Sequence, residues 1–272
     1  MRKRIITAAL LVPLLLAILL IAPKIMTAFL VACMSAVAVY ELLYGTGLVR
    51  HLRLVAYSIA TAFVIPIWSH FGMSPAWGQL IVLVFFCALF AEMMASHVKV
   101  RFEKVCICLL AGVLIPYLFS SLVRILTSAN GRYLILIPFV LAFLSDTGAY
   151  FIGCRYGKRK LAPVISPNKS VEGVAGGLLF AVVGMVLYTV IMQFAFKLQV
   201  NYAIAILYGV LGTAADVFGD LCFSMIKRQT GIKDYGNLIP GHGGVLDRFD
   251  SMLVVAPLVE LLLVILPVVT KL

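Results

Sequence analysis

The chain has 272 residues, 63% of them hydrophobic and 12% charged, with a formal net charge of +11. That balance excludes a water-soluble globular fold, whose core could not hide so much apolar surface, and indicates a membrane protein. The basic residues fall in short clusters between long apolar runs and form no continuous face with interleaved aromatics, which excludes a nucleic-acid binder.

The N-terminal Met1-Arg2-Lys3-Arg4 before an apolar run imitates a signal peptide, and Leu30-Val31-Ala32-Cys33 imitates a lipoprotein cleavage box. The run from Ile5 to Ala22 is long enough to span, however, and Cys33 lies inside a second apolar run, so the first helix is expected to be retained. Apolar stretches of spanning length then follow at 25–45, 53–71, 78–95, 105–126, 133–153, 171–196, 202–223 and 251–269. The expected architecture is all-α and polytopic, with about nine transmembrane helices and one membrane domain over residues 1–272. Six cysteines lie mostly within these runs, with no CxxC and no His/Cys cluster, so neither a disulfide framework nor a zinc site is indicated.

The positive-inside rule tests the count, because a missed helix would scramble the alternation of charge. Seventeen Lys and Arg residues fall on the N-terminal side, against five (Lys24, Arg124, Arg132, Lys197, Lys271) on the other. The N-terminus is therefore expected in the cytoplasm. The two longest polar connections, 154–170 and 224–250, fall on that same side, and the chemistry is expected there.

In the eighth span Asp216, Asp220, Ser224 and Lys227 lie within an arc of about 80° on one helix face. If Lys227 marks the interface, Asp220 sits roughly 10 Å and Asp216 roughly 16 Å into the membrane. Each such carboxylate costs on the order of 3 kcal/mol, so the pair needs a cation, a partner or a water-filled cavity. A metal or ion site and a helix-helix hydrogen bond both satisfy that need. Beyond the stripe, Pro240-Gly241-His242-Gly243-Gly244 lets backbone approach a ligand closely, as phosphate cradles require. Asp247 and Asp250 follow at spacing i, i+3, where Asp250 serves either as a helix cap or in catalysis and Asp247 as a ligand. Lys227, Arg228, Lys233, His242 and Arg248 crowd the same connection, a composition suited to Mg²⁺ and cationic side chains sharing a polyphosphate.

A second constellation holds Ser145-Asp146 at the end of the sixth span, Gly157-Lys158, and Ser166-Pro167-Asn168-Lys169-Ser170-Val171-Glu172-Gly173. Asp146 carries the desolvation argument of Asp220. The segment 166–173 suits anion binding and plain helix capping alike. Glu41, Glu92 and Glu260 lack a glycine-rich or basic neighbourhood and read as packing or helix-pairing groups. His51, His70 and His97 sit at loop ends and read as solvated.

The pattern Ser224-x-x-Lys227-Arg228-x-x-x-x-Lys233-Asp234-x-Gly236-x-x-Ile239-Pro240-x-His242-Gly243-Gly244-x-x-Asp247-Arg248-x-Asp250 resembles the signature of phosphatidate cytidylyltransferases, also called CDP-diacylglycerol synthases. The resemblance extends through Ser-Pro-x-Lys-x-x-Glu-Gly at 166–173 and through the count of nine helices. It departs at Phe223, where many members carry an acidic residue; seven residues from Asp216, Phe223 lies on the same face, so this site has one fewer polar group.

The resemblance implies cytidylyl transfer from CTP to phosphatidic acid, giving CDP-diacylglycerol and pyrophosphate, with Mg²⁺ as cofactor and the catalytic signature over 212–250. It implies a homodimer. The residue reading adds metal ligation by Asp220 and Asp247 with support from Asp146, Asp216 and Asp250. Lys227, Arg228, Lys233 and Arg248 are expected to hold phosphates, Lys169 and Ser224 to bind substrate, Gly243 and Gly244 to offer backbone donors, and His242 to orient a phosphate or protonate pyrophosphate. A bacterial inner membrane is the expected location. Two other readings stay open at this point: a cation-coupled transporter, since paired intramembrane carboxylates also mark ion pathways, and a cytidylyltransferase for another lipid phosphate.

Overall fold

The computed structural model describes residues 13–96, 100–239 and 243–270. In chain order the helices are α1 (Lys24–Gly45), α2 (Leu52–Phe71), α3 (Pro75–Ala95), α4 (Phe102–Thr127), α5 (Gly131–Tyr156), α6 (Val171–Phe196), α7 (Tyr202–Thr230), the single turn α8 (Leu246–Phe249) and α9 (Met252–Ile265). Four short strands intervene: β1 (Lys160–Ala162) and β2 (Ser166–Ser170) form an antiparallel hairpin, and β3 (Gln199–Val200) pairs antiparallel with β4 (Val269–Thr270).

Helices α1 to α7 are each long and apolar enough to cross a membrane. They stand where the second to eighth spans are expected. The protein is an all-α polytopic membrane protein. Of the first expected span, residues 13–20 are helical and the rest lies outside the described residues. The ninth differs: α9 stops at Ile265, because Leu266 leaves helical geometry ahead of Pro267 and the chain turns into β4. The eighth also differs, since α7 runs on to Thr230 and ends at Gly231 with φ +70. The polar stripe lengthens the helix past the apolar run, because a helix need not stop where the membrane does.

The chain forms two compact units, Met1–Ala129 with Gln229–Phe249, and Asn130–Arg228 with Asp250–Leu272. In the first, α1 buries Ala28, Val31, Ala32, Ser35, Ala38 and Val39, an i, i+3, i+4, i+7 face. Its small side chains let backbones approach, which matters in lipid because water cannot drive the helices together. Hydroxyls on the buried faces return to their own helix, as Ser58 Oγ does to Leu54 O (2.8 Å) and Ser120 Oγ to Pro116 O (2.6 Å). Helix α3 buries only Phe85, Leu89 and Glu92 and leaves the rest of its apolar surface outward, as a lipid-facing helix does. Glu92 is paired with Arg53 (3.5 Å) and His51 (3.6 Å), the helix-pairing role expected of it.

In the second unit α5 and α6 pack along their length. A Cβ on Gly148 would stand 2.5 Å from Gly176 O, and one on Gly177 2.8 Å from Ser145 O, so only glycine fits at this crossing. Helix α7 sinks into the same unit by the same device. Gly209 lies against Val182, Gly212 against Leu141 and Gly219 against Ser251, each so close that a Cβ would come within 2.8 Å. Asp216 shares that glycine face and is carried inward with it. Asn201 caps α7, its Oδ1 accepting from Ala203 N (3.0 Å) and Ile204 N (3.2 Å).

Candidate active site

The polar residues of the second unit gather around α7. Lys169, at the end of β2, forms an ion pair with Asp220; the two side chains are 22% and 26% exposed. Ser224 Oγ, one turn on, donates to Asp220 Oδ1 (3.3 Å). One turn deeper, Asp216 is 2% exposed, and its Oδ1 has no hydrogen-bond partner among the described residues. The hydroxyls of Ser145 and Ser251 lie beside it, and Lys169 is the cation that faces it. One lysine therefore compensates both carboxylates of the stripe.

Asp250, 7% exposed, lies just ahead of α9. Burial, and after it the negative charge of Asp220, push its carboxyl up to about 7, with Asp146 adding to the repulsion and Lys227 opposing it. Its Oδ1 accepts from Ser251 N (2.9 Å), and α9 begins without a side-chain cap. Of the two roles open for Asp250, capping is thus not the one its geometry shows. Arg228 Nε donates to Ile165 O (3.0 Å) and ties the end of α7 to the turn of the hairpin.

The mutual repulsion of these carboxylates, which helps to push Asp250 up, and the unpartnered buried oxygen of Asp216 are what a divalent cation would relieve. Among the described residues no three His, Cys, Asp or Glu side chains converge as a ready-made metal cage. Mg²⁺ takes one or two carboxylates and completes its octahedron with water and phosphate oxygens.

The segment 166–173 resolves into a cap and a brace. Ser170 Oγ accepts from Gly173 N (3.1 Å) at the start of α6, while the Glu172 carboxylate accepts from Lys158 N (3.0 Å) and Arg159 N (3.1 Å). These bonds hold the hairpin against α6 and fix the strand that carries Lys169.

The glycine-rich loop belongs to the first unit. Ile239 N donates to Gly243 O (2.9 Å), and Gly243 sits at φ +87, where a side chain would be strained. Asp247 Oδ2 accepts from Tyr235 N (2.8 Å) and from Gly244 N (3.0 Å). The Gly244 N–H expected to meet a phosphate is therefore engaged by Asp247. Two further N–H groups, of Val245 (3.0 Å) and Leu246 (2.8 Å), donate to the carboxylate of Glu41, 4% exposed at the end of α1. Gly236 and Gly244 abut the same carboxylate.

A family model described as the cytidylyltransferase family matches residues 2–266. The chain belongs to the cytidylyltransferase family. It is 34% identical over 270 residues to a protein of Bacillus subtilis named phosphatidate cytidylyltransferase, covering 97% of each chain. A protein of that name from Staphylococcus saprophyticus is 39% identical over 173 residues, 62% of this chain and 63% of the relative. One from Haemophilus influenzae is 47% identical over 131 residues, 47% and 44% of the two chains. The matched part spans between 52% and 63% of the length of several staphylococcal relatives.

In this family member the structure brings Lys169 onto Asp220, although the sequence places them in separate constellations. It gathers Asp146, Asp216, Ser224, Lys227 and Asp250 with them in the second unit. Lys233 and Arg248 are exposed on the loop of the first unit, where Asp247, Gly243 and Gly244 also lie. His242, Pro240 and Gly241 lie outside the described residues. Glu41 is the residue that sequence reasoning missed. Its one signal is a carboxylate in an apolar span, which must have a partner; its donors lie more than two hundred positions away, beyond any local pattern.

Proposed function

We propose that the protein transfers a cytidylyl group from CTP to phosphatidic acid, releasing pyrophosphate and leaving CDP-diacylglycerol in the membrane. The observation that carries this reading is the Lys169–Asp220 pair on a membrane-crossing helix of a chain whose length matches the cytidylyltransferase family. The relatives named phosphatidate cytidylyltransferase supply the substrate class. The acceptor is confined to the bilayer and CTP to water, so a polar stripe descending a spanning helix gives the two a common place to meet.

A phosphate oxygen of the lipid attacks the α-phosphorus of CTP, and the bond to the β-phosphate breaks with its electrons leaving on pyrophosphate. The attacking oxygen is already anionic at neutral pH, so orientation and charge neutralisation matter more than a general base. Lys227, Arg228, Lys233 and Arg248 hold phosphates, and Lys169 and Ser224 orient substrate beside Asp220. Bound Mg²⁺ would neutralise charge on the triphosphate; Asp220 and Asp247 are the candidate carboxylates for it, with Asp146, Asp216 and Asp250 in support. His242 orients a phosphate or protonates the departing pyrophosphate. The charge asymmetry of the sequence supports a cytoplasmic N-terminus and site, and the bacterial relatives support a bacterial inner membrane.

Purified protein incubated with labelled CTP, Mg²⁺ and phosphatidic acid tests the reading. Lipid-linked CMP is expected. Turnover only with another lipid phosphate, or cation flux without turnover, would overturn it.

A further inference from the structure

Glu41 opens a five-residue π-turn at the end of α1, an irregularity that often accompanies function. Its carboxylate is buried within an apolar unit, where it needs donors, and those it has are the N–H groups of Val245 and Leu246. These residues lie at the start of α8, and the next is Asp247. Asp247 in turn holds the N–H groups of Tyr235 and Gly244. Two carboxylates, one from a spanning helix and one from the loop itself, thus take up four loop N–H groups. The fit leaves no slack. Gly236 and Gly244 touch the Glu41 carboxylate, and a Cβ on Gly45 would stand 2.6 Å from Tyr235 O. A helix residue more than two hundred positions away in sequence therefore sets where the loop backbone runs.

We infer that Glu41 is a positioning residue for the reaction, anchoring the backbone between Gly244 and Asp247 so that Asp247 is presented to bound Mg²⁺ in one orientation. The inference rests on the proposed role of Asp247. Partners that orient a metal ligand typically matter about 10- to 100-fold in affinity or activity. Glu41→Gln keeps the volume and one acceptor but turns an NH₂ group towards an N–H. Gly236→Ala leaves Glu41 intact and pushes on its carboxylate from the loop side.

The test combines amide hydrogen exchange over 243–249 in the substrate-free protein with the Mg²⁺ and CTP dependence of turnover. For Glu41→Gln, exchange at Val245 and Leu246 is expected to rise about tenfold or more, and half-saturating Mg²⁺ to rise about tenfold. The melting temperature should stay within a few degrees of wild type. Gly236→Ala should shift Mg²⁺ dependence in the same direction, and it carries the test should Glu41→Gln fail to fold. Unchanged exchange overturns the inference. So does faster exchange with unchanged Mg²⁺ and CTP dependence, because Glu41 would then be a structural staple alone. If wild-type protein makes no lipid-linked CMP from phosphatidic acid, the functional reading fails, while the exchange measurement still reports whether Glu41 holds the loop.

Discussion

Replacing Lys169 by methionine removes the cation paired with Asp220 and facing Asp216 while keeping most of the side-chain volume. At an effective dielectric near 20, opposite charges about 4 Å apart attract by about 4 kcal/mol. Both partners are roughly a quarter exposed, so solvent screening and the desolvation returned on breaking the pair reduce the net loss to about 1–3 kcal/mol. For a chain of this length that corresponds to a melting temperature lower by about 2–5 °C. Thermal unfolding in one detergent should be compared across wild type, Lys169→Met, Asp220→Asn and the double variant. The double variant should recover at least half of the stability lost in Lys169→Met, because neutralising Asp220 removes the orphaned charge, while turnover stays depressed in all three. Mg²⁺ should raise the melting temperature of Lys169→Met more than that of wild type, since the ion takes the place of the missing cation. If Lys169→Met melts with wild type, or the double variant loses the sum of the two single losses, the pair carries no coupling and the reasoning fails.

Asp220→Asn and Asp247→Asn should each lower turnover by about 100-fold or more at limiting Mg²⁺; near wild-type rates there would remove them as metal ligands. Asp250 has a folded-state pKa of about 7 against about 4 unfolded, so the native state loses stability as pH rises through that interval and remains at the lower value above it. Asp250→Asn should therefore unfold at a higher temperature than wild type at pH 8, by on the order of 1–4 kcal/mol, with the gap closing towards pH 4, while turnover falls. Gly148→Ala would drive a Cβ against Gly176 O, so α5 and α6 must separate, and a loss of about 1–3 kcal/mol in thermal unfolding is expected; no loss would mean the helices are not in that contact.

Much of the site is legible in one dimension where its order is local. The stripe of Asp216, Asp220 and Ser224 follows from helical periodicity. Residues 166–173 admit an anion site and a cap equally from sequence, because both use hydroxyls at a helix start. Only the bond from Gly173 N to Ser170 Oγ shows the cap.

Hydropathy and charge by themselves determined that this chain crosses a membrane, where seven of its helices run, and which face of α7 is polar, because lipid imposes span length and charge side residue by residue. The tertiary structure alone decided that Lys169 answers Asp220, that glycines at 209, 212 and 219 draw Asp216 inward, and that Glu41 holds the signature loop. The reason is common to all three. A buried charge must find its partner in space, and nothing in the local pattern of an apolar span says which distant residue that will be.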